Sequence, residues 1–328
     1  MYGGDSSEWE VSVWSGRHMA SQIDKNKYAV YEILLCGSDW RVVKTADGQV
    51  PAEHEAQIDK TDFSFTWKGD RALFEVALLM IHGKPGEDGA LPAYFEGLQI
   101  PHTASSSTVS ALAFDKYACK SQLRNAGIAM AKDMLLQEDE DVDEQAVVDT
   151  LGLPLFVKPN GGGSSFGATK VRRIEELKPA LELAFQECPQ ALVEEFMAGR
   201  ELTNGVLKTH DQQLVLPVTE IVSKNDFFDY QAKYQGASDE ITPAPIPDAL
   251  RDKVQRLTSQ IYDYLGCSGF IRIDYIARDE EVMFLEVNTI PGMTPMSLVP
   301  QQVSVAGMSM GTFLEWVIED AIYRFGRA

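Results

Sequence analysis

Residues 271–288 read Ile271-Arg-Ile-Asp-Tyr-Ile-Ala277, then Arg-Asp-Glu-Glu, then Val282-Met-Phe-Leu-Glu-Val-Asn288. Two apolar runs flank a short charged turn, which predicts two β-strands joined as a hairpin. Because successive side chains of a strand point to opposite faces, one face is predicted to be polar and the other apolar. The predicted apolar face carries Ile271, Ile273, Tyr275, Met283, Leu285 and Val287.

The polar face of this hairpin brings two carboxylates together. If the turn is centred on Glu280, Asp274 lies opposite Glu286, and Arg272 lies opposite Asn288. Like charges in such positions destabilise a sheet unless something compensates them. Two carboxylates and an amide oxygen suit Mg²⁺ with bound phosphate. The pattern predicts a metal site, and the alternative is a solvated polar strand face.

Two glycine-rich segments have the character of ligand-binding loops. The first, Asn288-Thr-Ile-Pro-Gly-Met-Thr294, follows the hairpin at once, and its Gly292 can bring a bare backbone N–H close to a ligand. The second reads Phe156-Val-Lys158-Pro-Asn-Gly161-Gly-Gly-Ser164-Ser-Phe-Gly167. Its N–H groups and hydroxyls can fold over phosphates, with Lys158 as a point charge. The alternative for the second segment is a plain hairpin with a glycine turn.

Two segments in the first hundred residues are weaker candidates. Gly3-Gly-Asp-Ser-Ser-Glu8-Trp-Glu-Val-Ser12 is a glycine turn that leads into an amphipathic helix, and Glu8 is available there to pair with an ammonium group. His82-Gly-Lys-Pro-Gly86-Glu87-Asp88-Gly89 follows an apolar run and resembles a ligand-lining loop. The alternatives are a helix N-cap with a solvated acid, and a tight loop with a hydrogen-bonded histidine.

Two later segments leave their structure open. Phe227-Phe-Asp-Tyr230-Gln-Ala-Lys233-Tyr234 has aromatic spacing compatible with packing along one helix face, but the unpatterned stretch 235–247 favours a mobile loop. Leu192-Val-Glu-Glu195-Phe-Met-Ala-Gly-Arg-Glu201 is a strand that leads into an acidic turn. Such a turn could hold an adenine edge and a ribose.

Strand-like and helical patterns alternate along the whole chain, which is typical of α/β proteins. Helices are predicted at 10–23, 110–125, 248–265 and 311–323, and strands near 30–35, 76–81, 155–158 and 191–196. A doubly wound parallel sheet normally begins with an apolar strand that leads into its first glycine turn. Here only Met1 and Tyr2 precede Gly3, so most of that first strand is missing from the predicted sheet.

Composition excludes several classes of protein. The 328 residues include 49 acidic and 29 basic side chains, which gives a formal net charge of −20 at pH 7. An acidic surface repels nucleic acid and anionic lipid, so neither is expected as a partner. The apolar run near 77–81 is far shorter than the roughly 20 residues of a membrane span. The N-terminus has neither a basic start nor an apolar signal core, which predicts a cytoplasmic protein, and the four scattered cysteines predict free thiols.

Taken in order, these motifs resemble those of the D-alanine–D-alanine ligases of the ATP-grasp superfamily, and the resemblance runs over essentially the whole chain. It rests on Gly3-Gly-x-Ser-x-Glu-x-Glu-Val-Ser12, His82-Gly-x-x-Gly-Glu-Asp-Gly89, Asp115-Lys116, Lys158-Pro with Gly163-Ser-Ser-x-Gly167, Tyr230-x-Ala-Lys-Tyr234, Arg272-x-Asp274 and Glu286-x-Asn-Thr-x-Pro-Gly-Met-Thr294 with Ser297-Leu298.

The resemblance implies a three-domain architecture in which ATP is sandwiched between two α+β domains. The expected domains are an N-terminal substrate-side α/β domain (1–109), a central ATP-grasp domain (110–200) and a C-terminal ATP-grasp and metal-binding domain (201–328). The implied reaction ligates two D-alanines through a D-alanyl phosphate and releases ADP and phosphate, for peptidoglycan precursor synthesis. A homodimer is expected on the same ground.

The resemblance also implies a role for each matched residue. Lys116, Lys158, Ser164 and Lys233 are expected at the phosphates of ATP, Glu194, Glu195 and Met197 at its adenine, and Glu201 at its ribose. Asp274, Glu286 and Asn288 are expected to hold two Mg²⁺ ions, with Mn²⁺ as an alternative. Glu8 would take the ammonium of the first D-alanine, linked through Ser164 to Tyr234. Arg272 and the Gly292 N–H would stabilise the tetrahedral oxygen, and Ser297 with the Leu298 N–H would take the second carboxylate.

Two other functions remain open at this point. A related ATP-grasp ligase could join other amino acids, because relatives share metal and ATP residues but not acceptor contacts. A nucleotide-binding regulatory protein without catalysis would lack a metal ligand or a phosphate-binding lysine. The matched residues include all of these groups.

Overall fold

Four β-sheets with flanking helices make up the structure, a computed structural model that describes residues 1–52, 56–163, 166–223 and 238–326. The strands are β1 (Tyr2–Gly3), β2 (Glu32–Cys36), β3 (Asp39–Lys44), β4 (Ile58–Asp59), β5 (Ser64–Trp67), β6 (Asp70–Leu73), β7 (Asp133–Gln137), β8 (Leu155–Pro159), β9 (Thr169–Val171), β10 (Gln190–Glu195), β11 (Arg200–Lys208), β12 (Gln213–Val215), β13 (Thr219–Ser223), β14 (Ser238–Ile241), β15 (Gly269–Arg278) and β16 (Glu281–Asn288). The α-helices are α1 (Trp9–Gln22), α2 (Ala90–Gly97), α3 (Ser107–Phe114), α4 (Lys116–Asn125), α5 (Glu144–Leu151), α6 (Leu177–Phe185), α7 (Asp248–Leu265), α8 (Leu298–Val305) and α9 (Met310–Phe325).

The N-terminal sheet has the order β1-β2-β3 and is mixed. Strand β1 pairs in parallel with β2, as predicted for a doubly wound fold, and is two residues long. Strand β3 is antiparallel to β2, because Gly37 (φ 56°) allows the chain to reverse in a tight turn. The run 76–81, predicted as a strand, forms no ladder in the described residues. It is extended, with one parallel bridge from Ala77 to His102.

Besides the small antiparallel sheet β4-β5-β6, two larger antiparallel sheets complete the framework. The first has the order β7-β10-β8-β9, and helices α5 and α6 pack on it through a core that includes Leu155, Val157, Leu181 and Val193. The second has the order β14-β13-β11-β15-β16, with β12 paired to β11. Helix α7 covers this sheet, and its ends coincide with those predicted from the sequence.

The predicted hairpin forms, and its register at the site is confirmed. Arg272 pairs with Asn288, and Asp274 pairs with Glu286. Beyond this point a β-bulge shifts the register, so that Tyr275 pairs with Phe284. The bulge turns Val282 and Phe284 into the core, so the predicted burial of Met283 and Leu285 is wrong.

The single helix predicted at 110–125 is wrong, because the chain forms α3 and α4 with a break at Asp115. Asp115 has extended backbone angles (φ −81°, ψ 96°), and its side chain accepts a hydrogen bond from the Ala118 N–H at 2.9 Å. It therefore caps α4 and ends α3. The break places Lys116 at the first position of α4.

Two expectations from composition can be compared with the structure. Across the described residues, no helix is both long enough and apolar enough to cross a membrane. The four cysteines are free thiols, and Cys119 and Cys267 are buried. The prediction of free thiols is therefore confirmed.

Candidate active site

Two adjoining cavities contain the described site residues that the sequence predicted. The loop cavity is lined by Glu8, by the loop that carries His82 and Glu87, and by residues 286–292; with its open mouth it spans about 950 Å³. The sheet cavity lies between the two antiparallel sheets and spans about 1570 Å³, also with its mouth. Lys116, Gly162, Gly163 and Glu286 line both cavities. A ligand in one cavity can therefore reach a ligand in the other.

The paired strands β15 and β16 place the predicted metal ligands at the wall between the cavities. Asp274 lines the sheet cavity, Asn288 lines the loop cavity, and Glu286 lines both. Asn288 Nδ2 donates to Asp274 Oδ2 at 3.1 Å, and Thr203 Oγ1 donates to Asp274 Oδ1 at 2.5 Å. These contacts keep the carboxylate of Asp274 close to the amide of Asn288.

The donor chemistry of this group fits Mg²⁺. Two carboxylates and one side-chain amide supply the hard oxygen ligands that Mg²⁺ prefers, with room for waters and phosphate oxygens. Within the described ranges, no cluster of three or more His, Cys, Asp or Glu side chains could hold a metal ion.

Arg272 lies against the same carboxylate. Its Nε donates to Asp274 Oδ1 at 2.9 Å and its Nη2 donates to Asp274 Oδ2 at 2.7 Å, so the contact is bidentate. Arg272 also lines the loop cavity, together with Gly292 and Ser297. The guanidinium thus offsets the like charges of Asp274 and Glu286 that the register brings together.

A hydrogen-bond chain fixes the loop that carries Gly292. Burial lowers the pKa of His82, so its ring is neutral at neutral pH. Its Nδ1 is 2.7 Å from the Ile290 carbonyl oxygen, and its Nε2 is 2.9 Å from Ser15 Oγ. Ser15 Oγ in turn accepts from the Met293 N–H at 3.0 Å. Helix α1 and the histidine loop therefore hold both sides of Gly292 in place.

The start of α8 lines one part of the loop cavity. Ser297 is the N-cap of that helix, and its Oγ accepts from the Thr294 N–H at 2.9 Å. A β-carbon at Gly292 would lie 3.1 Å from Ser297 Oγ, so the glycine leaves room beside the hydroxyl. A helix N-terminus with an adjacent hydroxyl favours a carboxylate ligand.

Glu8 and Glu87 both line the loop cavity, where the charge of Glu8 acts on the Glu87 carboxyl. Glu8 is buried just before α1, and Glu87 accepts from the Gly83 N–H at 2.8 Å and from the Ile290 N–H at 3.2 Å. Burial, and then the charge of Glu8, raises the pKa of Glu87 well above its ordinary range. A ligand with a positive charge would relieve this repulsion.

The glycine loop reaches the same place. A β-carbon at Gly163 would lie 2.4 Å from Glu8 Oε2, so only glycine allows this close approach. Lys116 Nζ donates to the Gly162 carbonyl oxygen at 2.5 Å and is 4.0 Å from Glu286 Oε2. Burial lowers the pKa of Lys116, and Glu286 opposes that shift.

Lys158 and Glu194 form a buried ion pair in the sheet cavity. Lys158 Nζ is 2.6 Å from Glu194 Oε2. Burial alone would raise the pKa of Glu194, but Lys158 and Lys120 outweigh it and lower the pKa to about 2. Burial alone would lower the pKa of Lys158, but Glu194 and Glu286 outweigh it and raise the pKa.

The remaining predicted residues of the sheet cavity lie in strands β10 and β11 and in the turn between them. Glu195, Met197 and Glu201 all line the cavity. The Glu195 carboxylate accepts a hydrogen bond from the Lys132 N–H at 3.0 Å, and this contact holds the end of β10 along the cavity wall. Ser164, Lys233 and Tyr234 lie outside the described residues.

Sequence reasoning missed several residues at the site. Lys120 is buried and bonds to Glu194, although a lysine on an amphipathic helix is usually exposed. Its position four residues after Lys116 puts both side chains on one face of α4, which is the signal that could have found it. Ser15 and Glu240 belong to none of the motifs quoted from the sequence. Leu285 lines the sheet cavity because of the bulge.

Comparisons with known proteins match the chain from end to end. A family model described as "D-ala D-ala ligase N-terminus" matches residues 1–105, and one described as "D-ala D-ala ligase C-terminus" matches residues 122–319. The D-alanine–D-alanine ligase of Phocaeicola vulgatus is 46% identical over 319 residues, which cover 97% of each chain.

Solved structures agree with this result. VanG D-Ala:D-Ser ligase from Enterococcus faecalis has a TM-score of 0.82 and 31% identity, and the match covers 98% of this chain and 97% of that one. D-alanine–D-alanine ligase from Bacillus anthracis complexed with ATP has a TM-score of 0.77 and 29% identity, and the match covers 99% and 97%.

The fold and the paired cavities define an ATP-dependent ligase with the α/β, multi-domain ATP-grasp architecture. The chain belongs to the D-alanine–D-alanine ligase family. The resemblance stated from the motifs is confirmed.

Proposed function

We propose that this chain joins two D-alanines into D-alanyl-D-alanine through a D-alanyl phosphate, and that the described residues act as the motifs predict. The observation that carries the proposal is the shared wall of the two cavities. Lys116 and Glu286 line both, so the terminal phosphate of ATP in the sheet cavity can meet an amino-acid carboxylate in the loop cavity.

The first step activates a carboxylate. A carboxylate is a poor electrophile, so an oxygen of the first D-alanine attacks the terminal phosphorus of ATP. A new P–O bond forms, the bond to the bridging oxygen breaks, and ADP leaves. Glu8 takes the ammonium of this D-alanine, and Lys116 and Lys158 hold the phosphates. The proposed roles of Ser164, Lys233 and Tyr234 rest on the sequence motifs alone.

The second step forms the peptide bond. The second D-alanine loses its ammonium proton to solvent, and the free amine attacks the acyl carbon. A C–N bond forms, the C–O bond to phosphate breaks, and the leaving phosphate takes the second proton of the amine. Negative charge develops on the carbonyl oxygen, and Arg272 with the Gly292 N–H stabilises it. Ser297 and the Leu298 N–H hold the carboxylate of this second D-alanine.

We propose that Asp274, Glu286 and Asn288 hold two Mg²⁺ ions, for which Mn²⁺ can substitute. When bound, divalent ions at this wall would neutralise phosphate charge during transfer. Arg272 must then share Asp274 with the ions, because it contacts both oxygens of that carboxylate.

The remaining proposals concern context. We place domain boundaries near 109/110 and 200/201, supported by separate apolar clusters that include Phe63 and Phe95 in one and Val157 and Val193 in another.

We propose a cytoplasmic homodimer that supplies a peptidoglycan precursor. Because VanG is a D-Ala:D-Ser ligase, a D-serine acceptor is the second candidate.

Phosphate release from ATP, with products identified by mass spectrometry, tests the proposal. The panel contains D-alanine alone, D-alanine with D-serine or D-lactate, and the L-amino acids. We expect release and D-alanyl-D-alanine with D-alanine alone. Exclusive formation of the D-serine product would replace the acceptor assignment, and release only with L-amino acids would overturn the D-alanine assignment altogether.

A further inference from the structure

A buried chain of alternating charges lies behind the sheet cavity. Lys120 Nζ is 2.9 Å from Asp133 Oδ2 and also bonds to Glu194 Oε1. The other oxygen of Glu194 is 2.6 Å from Lys158 Nζ. The side chains of Lys120, Asp133 and Glu194 are each at most 3% exposed, so the loss of a charged partner is costly.

The four groups divide by their access to the cavity. Among the described residues, Glu194 and Lys158 line the sheet cavity, whereas Lys120 and Asp133 do not. In the described part of the chain, the contact that joins Lys120 to the cavity wall is its bond to Glu194. Arg124, whose Nη2 is 2.7 Å from Asp133 Oδ2, is the last of these charged groups and lies at the surface.

Lys158 has two competing partners when a nucleotide binds. Its ammonium group is paired with Glu194, yet the proposed function requires it at the phosphates of ATP. A buried carboxylate that loses its counterion is strongly unfavourable. If Glu194 had Lys158 as its sole partner, release of Lys158 would be opposed by that cost.

We propose that Lys120 is a positioning residue that keeps Glu194 paired and thereby releases Lys158 to the nucleotide phosphates. Asp133 holds Lys120 in place for this role. The inference rests on the proposed position of ATP in the sheet cavity. It assigns Lys120 no contact with ATP or with D-alanine.

The test measures ATP binding by calorimetry in the absence of D-alanine. Lys120→Met should raise the Kd of ATP by about tenfold or more, since Lys158 is then held by Glu194. The KM for D-alanine at saturating ATP should stay within about threefold. Lys120→Arg should bind ATP like the parent, as should Lys178→Met, which removes an exposed lysine of α6.

A double variant isolates the path through Glu194. With Glu194→Gln the neutral side chain needs no counterion, so adding Lys120→Met to it should change the Kd of ATP by less than about threefold. A tenfold further rise would overturn the proposal, as would an unchanged Kd in Lys120→Met alone. If Lys120→Met does not fold, the double variant is compared with Glu194→Gln and decides the question.

Lys158→Met separates this inference from the proposed function. It should raise the Kd of ATP by itself. If it leaves the Kd unchanged, the position of ATP is wrong. If Lys158→Met weakens binding and Lys120→Met does not, the positioning role alone is wrong.

Discussion

The sheet cavity and the loop cavity shift the pKa of a buried carboxylate in opposite directions. In the sheet cavity Glu194 lies between two lysines, which hold its pKa at about 2 despite burial. In the loop cavity Glu87 lies near another carboxylate, Glu8, and burial together with that charge raises its pKa. In one cavity two lysines favour the ionised form of the buried carboxylate, and in the other burial and the charge of Glu8 favour the protonated form of Glu87.

This difference matches what each cavity is proposed to bind. Phosphates need cations that can be shared with them, and Lys158 and Lys116 are the cations proposed for this role. A D-alanine ammonium needs a negative partner, and Glu8 is the partner proposed for it. A bound ammonium would offset the charge of Glu8 in the loop cavity, whereas the ion pairs of the sheet cavity stabilise the fold before any ligand arrives.

Glu286, on the wall between the cavities, is the position where we expect the largest effect. Glu286→Gln removes a proposed metal ligand and should lower kcat by about two to three orders of magnitude. Stability in metal-free buffer should hardly change, because the loss of the 4.0 Å contact to Lys116 is offset by less repulsion with Asp274. Initial rates and melting in EDTA measure the two quantities.

Glu281 provides the matched control on the same strand. It lies at the far end of β16, exposed and 3.4 Å from Arg278, so Glu281→Gln should leave kcat unchanged. If Glu286→Gln keeps full activity but melts well below the parent without metal, the role of Glu286 is structural. The wall between the cavities is then not part of the reaction site.

The second prediction concerns the paired carboxylate of the sheet cavity. Glu194→Gln should lower the free energy of unfolding at pH 7 by about 3 kcal/mol, because Lys120 and Lys158 each lose a buried partner. Since the folded-state pKa of about 2 lies below the ordinary value of 4.5, ionised Glu194 stabilises the fold above pH 4.5. That stabilisation is lost as the pH falls toward 2.

Urea unfolding of parent and variant at pH 7, 4.5 and 3 measures this difference. Glu195→Gln, on the adjacent and half-exposed position, should cost less than about 1 kcal/mol at pH 7, because it accepts only the Lys132 N–H in the described structure. A difference between parent and Glu194→Gln that grows toward acid pH would contradict the assignment.

The sequence predicted the part of the site that depends on local pattern. The pairing of Asp274 with Glu286 followed from strand alternation and the position of one turn, and both ends of helix α7 followed from its apolar spacing. The bulge after Asp274 was missed because an alternating pattern does not specify how many residues each strand contributes. The core therefore contains Phe284, where alternation predicted Leu285.

The long-range charge contacts could not be predicted in this way. Lys120 meets Glu194 across 74 residues of chain, and Glu87 meets Ile290 across 203. Neither pair has a spacing that a helix or a hairpin imposes. The resemblance identified the groups that are proposed to touch ligands, but the residues that hold those groups became visible only when the distant segments were packed together.

The smallest expected effect, and the most direct test of the comparison, lies at Glu87. Glu87→Gln keeps one of the two oxygens that accept from Gly83 and Ile290, so near pH 5 the variant should be less stable than the parent by about 1 kcal/mol. Because the folded-state pKa of Glu87 is raised, the fold binds this proton more tightly than the unfolded chain does. The contribution of Glu87 to the free energy of unfolding is therefore fully present below its ordinary pKa. It is lost as the pH rises through the raised value.

The advantage of the parent over Glu87→Gln should accordingly fall between pH 5 and pH 8, by on the order of 1 kcal/mol, because the open cavity lets solvent relax part of the repulsion. Saturating D-alanine places an ammonium beside Glu8 and should flatten this trend. Urea unfolding across that pH range, with and without D-alanine, measures both effects. A parent advantage that rises with pH would show that Glu87 is ionised and well compensated, like Glu194, and the contrast between the two cavities would fail.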